Sequence, residues 1–513
     1  MVKSLDHLRR SAKALKSGHD QGDPAAVARV RQVQGASVVD LRHADALHVV
    51  AREAGFSSWP QLKEAVARHG VDGAARLQAL KRALYQGRNA RVDRLLQEAP
   101  DLAEGHFALQ VALLDHAAVA AALARDPLLA TQSFGPRGRP ILHLAFSRRF
   151  QAMPEPDDAM LGIAELLLRH GASVNDSCPA EPGSNHRLSA LYGAIGHSNN
   201  MVLARWLLAH GADPDDGESL YHATELGHHE GLRMLLEHGA SPRGTNAVLR
   251  AIDFDDVEAV RMLLAAGADP NEGAATHPSG TAMSALPALH LVARRGASVA
   301  MADLLLDNGA DPATLFHGHS AYAYARIFGQ AALSRRLEQR GADTALSAIE
   351  AQLARAAEGD VSATDWIDMA RVSTDLRPLL TLLVPRPGTL PQMQRLVAMG
   401  FDANATDEMG LTPLQLAGWE GLTEVFAWFL KQGPDMGHVN AYGGTVFSTI
   451  LHGSENCPHR AARDHTGCMR LALEHGVALP RRAVGMAEEP EMAALLATWA
   501  EAHPGQVVDS GVV

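Results

Sequence analysis

Cysteine is scarce in this sequence, and long hydrophobic runs are absent. There are only three cysteines, Cys178, Cys457 and Cys468, and an odd number cannot pair completely into a disulfide framework. So sparse a set of cysteines is typical of proteins in a reducing cytosol. No stretch of about 20 uninterrupted apolar residues exists, so no transmembrane helix is expected. Residues 3–10 carry charges and lack the apolar core of a secretory signal. We therefore expect a cytoplasmic protein without a membrane partner.

The sequence also lacks the motifs of the common enzyme classes. It contains no G-x-S-x-G nucleophile elbow, no G-x-x-x-x-G-K-[ST] phosphate loop, no H-E-x-x-H metalloprotease motif and no dinucleotide-binding glycine motif after a strand. We expect no enzyme activity, no catalytic residues and no bound cofactor.

Excess positive charge, which nucleic-acid binding requires, is missing as well. The net charge is −12. Residues 1–70 hold 11 Lys and Arg against 7 Asp and Glu, a balance of +4, which leaves −16 for the remainder. Because affinity for nucleic acid depends on neutralising phosphates, a nucleic-acid partner is not expected. The alternative is that residues 1–70, with their small positive charge, bind nucleic acid.

What the sequence does contain is a helical hairpin over residues 410–433. Thr412 can cap a first helix, and Pro413 suits the first position of that helix, where no backbone donor is needed. Gly421 breaks the helix, and Gly433 stands where a left-handed residue ends the second one. Such a hairpin has too little surface to bury its own apolar face, so it needs neighbours on both sides.

Copies of the second-helix ending recur along the chain, with leucines followed by a glycine. Clear copies end at Gly171, Gly211, Gly239, Gly267 and Gly309, and weaker ones end at Gly341, Gly400 and Gly476. Two successive spacings, Gly211 to Gly239 and Gly239 to Gly267, are 28 residues.

On these residues the sequence resembles the ankyrin repeat proteins. The resemblance implies an all-α fold, an ankyrin-type α-solenoid of stacked helix-turn-helix repeats with short β-turn fingers. Residues 1–70 lack the repeat, and helices are expected there at about 4–17, 24–32, 40–54 and 59–69. This part resembles the small helical module that precedes ankyrin arrays in many bacterial proteins, which implies a bacterial source.

The domain organisation follows from where the repeats are regular. We expect an N-terminal helical module over 1–70 and an ankyrin block over 77–345 of about eight units, the first two degenerate. Residues 346–404 form an irregular degenerate repeat or a joint, with a helix at 366–372 and four prolines that prevent any long regular element. Residues 405–503 hold the C-terminal repeats and a capping helix, and residues 504–513 are expected to be a flexible tail.

The predicted function is a non-enzymatic scaffold that binds a protein partner through the concave and finger face. The finger insertions at 176–186 and 273–284 are the first candidates for contact. Candidate partner-binding residues on fingers and first helices are Asn175, Asp215, Arg243, Asn271, Thr314 and Trp419. For Trp419, packing on the next repeat is an equal alternative. We expect a monomer, and the sequence does not name the partner.

A metal- or redox-responsive regulator is the alternative function. Cys457, His459, His465 and Cys468 place four ligand-type side chains within 12 residues, enough for zinc. Their spacing matches no established zinc-finger pattern, and a buried loop would explain it equally well. Most other histidines fall at equivalent repeat positions, where they complement helix ends.

Overall fold

The computed structural model describes residues 5–35, 41–54, 56–273, 286–361, 365–487 and 489–509 of the chain. The chain divides into two compact units, residues 1–216 and residues 217–513. Both are built almost entirely of short helices.

The first unit holds eleven α-helices within its described residues. They are α1 (Leu5–Asp20), α2 (Pro24–Gln34), α3 (His43–Glu53), α4 (Trp59–Gln86), α5 (Asn89–Glu98), α6 (Phe107–Ala112), α7 (His116–Arg125), α8 (Pro140–Ala145), α9 (Asp157–Arg169), α10 (Ala190–Tyr192) and α11 (Met201–Ala209). The shorter elements are 3-10 turns at Pro127–Ala130, Gly135–Arg137 and Arg149–Ala152, a π-helical turn at Gly193–His197, and strands β1 (Ser177–Pro179) and β2 (Arg187–Ser189).

The second unit continues in the same style. Its helices are α12 (Ser219–Ala223), α13 (Glu230–Glu237), α14 (Ala247–Asp253), α15 (Val257–Ala265), α16 (Ala288–Arg295), α17 (Val299–Asp307), α18 (Ala321–Ile327), α19 (Ala331–Gln339), α20 (Ala348–Glu358), α21 (Leu379–Leu383), α22 (Leu390–Ala398), α23 (Pro413–Trp419), α24 (Thr423–Leu430), α25 (Val446–Asn456), α26 (His465–Glu474) and α27 (Pro490–Ala502). The shorter elements are 3-10 turns at Met369–Arg371, Arg460–Ala462, Arg481–Gly485 and Pro504–Gln506, and strands β3 (Leu315–Phe316), β4 (His319–Ser320), β5 (Leu479–Pro480) and β6 (Val507–Val508).

The glycines that end the repeats confirm the sequence pattern. The eight glycines named above all have a positive φ, between 86° and 111°. The residue after each glycine donates its N–H to the carbonyl five residues earlier, as Ala172 does to Leu167 and Ala310 does to Leu305. This is the Schellman closure, which satisfies a carbonyl that the helix leaves open. Each of these two leucines is fully buried.

The hairpins stack in rows within each unit. First helices contact first helices, as α6 contacts α8, α14 contacts α16, and α23 contacts α25. Second helices contact second helices, as α7 contacts α9, α15 contacts α17, and α24 contacts α26. The apolar core therefore runs between neighbouring hairpins, because no single hairpin is thick enough to enclose one.

Short hairpins of strand project between the repeats. β1 pairs antiparallel with β2, with Cys178 opposite Leu188, and β3 pairs with β4, with Phe316 opposite His319. The first of these two hairpins, β1–β2, contains nearly all of the finger insertion expected at 176–186. The second insertion, at 273–284, lies outside the described residues apart from Gly273.

The N-terminal helices are present, but the fourth one differs from its expected length. α4 is a single helix from Trp59 to Gln86, so the boundaries expected at 70 and 77 lie inside it. Ser58 caps its start, accepting from the N–H of Gln61, and Gly87 ends it in the left-handed conformation. The sequence predicts two elements here because the repeat pattern begins midway along the helix, whereas the helical backbone is continuous.

The irregular segment, residues 346–404, contains three α-helices, α20, α21 and α22, in spite of its four prolines. α20 contacts α18, and α22 contacts α20. The helix expected at 366–372 is wrong, since only the turn Met369–Arg371 is helical. Trp366 is 68% exposed, its ring lies over Gly400, and the N–H of Ile367 donates to the Met399 carbonyl at 2.8 Å.

Residues 504–509 belong to the segment that is predicted to be a flexible tail, and they contact the last repeat. β6 pairs in parallel with β5. Gln506 donates its side-chain amide to the carbonyls of Leu473 and Val477, at 2.8 and 2.6 Å, and accepts from the indole N–H of Trp499 at 3.1 Å. The tail thus bonds one carbonyl in the last turn of α26 and one just beyond that helix.

Replacing Gln506 with Ala should lower the free energy of unfolding by roughly 1–2 kcal/mol, because the Val477 carbonyl and the Trp499 indole N–H lose this partner, whereas the Leu473 carbonyl keeps the Gly476 N–H. The midpoint of urea unfolding measures this loss. Glu501→Gln, an exposed change on α27, is the control and should leave the midpoint unchanged. Equal midpoints for both variants would show that the tail contributes nothing.

Candidate functional site

A cavity of about 480 Å³ opens in the first unit. Its walls come from the C-terminal end of α4, from α6 and α8, and from the finger turn Gly135–Arg137. Its volume lies within the range of about 300–1,000 Å³ that is usual for ligand pockets. The cavity is therefore formed by first helices and a finger, the parts of the repeat from which partner contact was expected.

The cavity wall is aromatic, with a cation set against it. The Arg137 guanidinium lies 4.6 Å from the ring centre of Tyr85 and 4.2 Å from that of Phe146. The ring of Phe134 lies 5.7 Å from that of Phe107 across the finger. Cation–π contacts of this kind hold the guanidinium in place. One of its nitrogens donates to the Cys178 Sγ at 3.8 Å, and the other N–H groups are able to bind an anion.

Two histidines brace the aromatic wall in their neutral form. The His143 Nε2 lies 3.2 Å from the Phe134 carbonyl, and the His197 Nε2 lies 3.0 Å from the Tyr85 carbonyl. The His197 ring stacks on Tyr85 with 4.4 Å between centres. Burial lowers the pKa of each histidine to about 4. Neither imidazole therefore carries charge at neutral pH.

The charge of the cavity contrasts with that of the chain. Among the described residues that line it, Lys81 and Arg137 are cationic and none is a carboxylate. The protein as a whole carries −12. Because an anion would meet two cations beside apolar rings, the cavity favours a ligand that joins a negative group to an apolar one.

The predicted partner residues Asn175 and Asn271 lie on fingers, but their amides are used within the protein. The Asn175 side chain donates to the Gly211 carbonyl at 3.1 Å and accepts from the Asp213 N–H at 2.8 Å. Asn271 repeats the arrangement three fingers later, on the Gly309 carbonyl and the Asp311 N–H. Both asparagines link successive repeats.

The other predicted contact residues are spread over the surface of the two units. Asp215 and Arg243 are exposed, and Thr314 is half-buried. Trp419 is half-buried, its ring lies 5.2 Å from that of His452, and its carbonyl is bonded to the His465 Nε2 at 2.8 Å. The geometry around Trp419 fits the packing alternative.

The four predicted zinc ligands do not converge as a set. The His465 Nε2 is held by the Trp419 carbonyl, and Cys468 is fully buried, with its pKa raised to about 12 by burial. Cys457 and His459 instead lie beside Glu420, and the ligand atoms of these three residues are within 4.8 Å of one another.

A hydrogen-bonded serine, histidine and glutamate occur together in the second unit. The His319 Nε2 lies 2.8 Å from the Ser373 Oγ, and its Nδ1 lies 2.6 Å from the Glu350 Oε1. The hydrogen bond to Glu350 raises the pKa of His319, with Asp375 adding to the effect. These two contacts tie β4 to Glu350 and Ser373 of the irregular segment.

One family model matches part of the repeat region. It is described as ankyrin repeats (3 copies), and it matches two overlapping segments, residues 157–246 and 191–274. The solved ankyrin repeat domain of human ASB11 covers 47% of this chain and 100% of its own length, at 19% identity and a TM-score of 0.35. No curated protein matches the chain. The protein therefore contains ankyrin repeats, and its fold is an all-α ankyrin-type solenoid.

Two further outcomes concern the sequence predictions. Within the described residues, no helix combines the length and the apolar character needed to cross a bilayer.

The cavity residues Tyr85 and Arg137 were missed, because they come from segments more than 50 positions apart. A signal was present in the finger Phe134–Arg137, which joins an aromatic residue to a cation.

Acid should destabilise the first unit through His143 and His197. Both histidines have a folded-state pKa of about 4, below the ordinary value of 6.5, so their stabilising effect is present above pH 6.5 and is lost as the pH falls towards 4. We expect each to cost about 1–2 kcal/mol between pH 7 and pH 5. Denaturant unfolding at the two pH values measures this.

Matched variants assign the acid effect to the two residues. His143→Gln and His197→Gln should each flatten the pH slope, whereas His106→Gln, an exposed change beside the cavity, should keep it. An unchanged slope in both of the first variants would contradict the assignment.

Proposed function

We propose that this protein is a non-enzymatic scaffold that binds a protein partner, and that the cavity of the first unit receives an acidic segment of that partner. Ankyrin repeats are a general protein-interaction module, and the family model for them matches residues 157–246 and 191–274 of this chain. The observation that carries the finer proposal is the cavity itself, in which Arg137 lies over two aromatic rings and Lys81 adds a second positive charge to the lining.

Preorganisation supports binding at this place. The hydrogen bond of the His143 imidazole to the Phe134 carbonyl ties α8 to the finger, and the stacking of Tyr85 on His197 ties α4 to the π-helical turn. A wall held in this way needs little ordering when a ligand arrives, which reduces the entropic cost of association.

The kind of side chain that fits follows from the lining. Phe107, Phe134 and Phe146 offer ring surface to an apolar anchor, and Lys81 and Arg137 offer charge to an adjacent carboxylate. An aspartate or glutamate next to a leucine or an aromatic residue has this chemistry. Aromatic and arginine side chains in concave sites are also the residues that contribute most at protein interfaces.

The remaining expectations stay predictions. The fingers at 176–186 and 273–284, with Asp215, Arg243 and Thr314, remain proposed partner contacts. A monomeric state, a cytoplasmic location and a bacterial source are predictions from the sequence, as is the absence of a nucleic-acid partner.

Peptide binding to the intact protein tests the proposal. A peptide array should contain three matched sets: an apolar anchor flanked by Asp and Glu, the same anchor flanked by Lys and Arg, and the acidic set with the anchor changed to alanine. Only the first set should bind well, and added salt should weaken it because the contact is partly ionic.

Variants place the peptide in the cavity. Arg137→Gln should weaken the acidic set by about tenfold, which corresponds to one charge-assisted contact of roughly 1.4 kcal/mol. Arg125→Gln makes the same change at an exposed position on α7 and should leave binding unchanged. Preference for the basic set, or equal binding by the two variants, would contradict the proposal.

A further inference from the structure

Three ligand-type side chains meet where two successive hairpins of the second unit lie against each other. Glu420 directly follows α23, and Cys457 and His459 follow α25. The Cys457 Sγ lies 3.8 Å from the Glu420 Oε2, and the His459 Nδ1 lies 3.9 Å from the same oxygen. All three ligand atoms are within 4.8 Å of one another.

These separations suit a zinc ion. Bonds of about 2.0–2.3 Å at tetrahedral angles place ligand atoms about 3.3–3.7 Å apart. The distances from the Glu420 Oε2 to the Cys457 Sγ and the His459 Nδ1, 3.8 and 3.9 Å, are therefore only a few tenths of an ångström too long. A thiolate, an imidazole and a carboxylate are together a donor set that Zn²⁺ prefers over Mg²⁺ or Ca²⁺, which take oxygen ligands.

The backbone holds the ligands in this arrangement before any ion arrives. The Cys457 N–H donates to the Gly453 carbonyl at 2.9 Å, and the Arg460 N–H donates to the Cys457 carbonyl at 3.1 Å. Gly453 lies so close to the backbone of Trp419 that a Cβ there would clash with the Trp419 carbonyl. This close approach is what brings the start of the turn after α25 to Glu420.

The exposure of the three side chains shows that the site is open to solvent on one side. Cys457 is fully buried, the Glu420 side chain is 13% exposed, and the His459 side chain is 63% exposed. An ion bound here would therefore be anchored from the protein side and would face solvent on the other, where a water molecule can complete its coordination.

We propose that Glu420, Cys457 and His459 bind one Zn²⁺ ion, with water as the fourth ligand. Binding forms Zn–S, Zn–N and Zn–O bonds, and the thiol proton passes to solvent, so no oxidant or reductant is involved. The ion would fasten the hairpin α23–α24 to the next one. This site differs from the predicted set, because Glu420 replaces His465 and Cys468.

Cobalt binding to the intact protein tests the site. After treatment with a chelator, titration with Co²⁺ should give one equivalent of bound ion and a near-ultraviolet thiolate-to-cobalt charge-transfer band. One equivalent of Zn²⁺ should abolish the band. Absence of the band would overturn the proposal.

Single substitutions identify the ligands. Cys457→Ser should abolish the charge-transfer band, and Glu420→Gln and His459→Gln should each weaken binding at least tenfold. His459→Gln alters an exposed side chain, so a folding defect will not obscure its result.

Cys468→Ser and Cys178→Ser remove the other two thiols and are the controls, and both should keep the band. The Cys178 variant also serves if replacing the buried Cys468 disturbs folding. Loss of the band in Cys468→Ser but not in Cys457→Ser, or wild-type binding by His459→Gln, would overturn the assignment.

Discussion

The structure depends on the contact between one helical hairpin and the next. A hairpin of two short helices cannot enclose an apolar core, so leucines such as Leu167 and Leu305 become buried only where a neighbour covers them. The glycine after each second helix makes this arrangement repeatable. It turns the chain into the next finger and lets the following residue satisfy a helix carbonyl.

Stacking also determines where chemistry can gather. The aromatic cavity lies between first helices of successive hairpins, and Glu420, Cys457 and His459 lie between α23 and α25. The asparagines of the fingers serve the stack itself, since Asn175 and Asn271 each link two repeats. Residues from two repeats therefore make each candidate site, and residues on a single finger mostly stabilise the row.

The repeats could be predicted from the sequence because their signals are local. The Leu-Leu-x-x-Gly endings predict which glycines adopt a positive φ. Thr412 caps α23 as predicted, and Gln415 completes the capping box. Features that depend on distant partners were missed. The tail is ordered by Gln506 reaching two carbonyls of the preceding repeat, and Glu420 lies 37 positions from Cys457.

Photo-crosslinking in the native cell tests most directly whether the face of first helices and fingers is where a partner binds. A photoreactive phenylalanine derivative at Tyr85, which is 41% exposed in the cavity wall, should yield a covalent adduct with a protein. The same derivative at Gln97, exposed on the second helix α5, should yield none. Adducts from Gln97 with none from Tyr85 would contradict partner binding at the cavity.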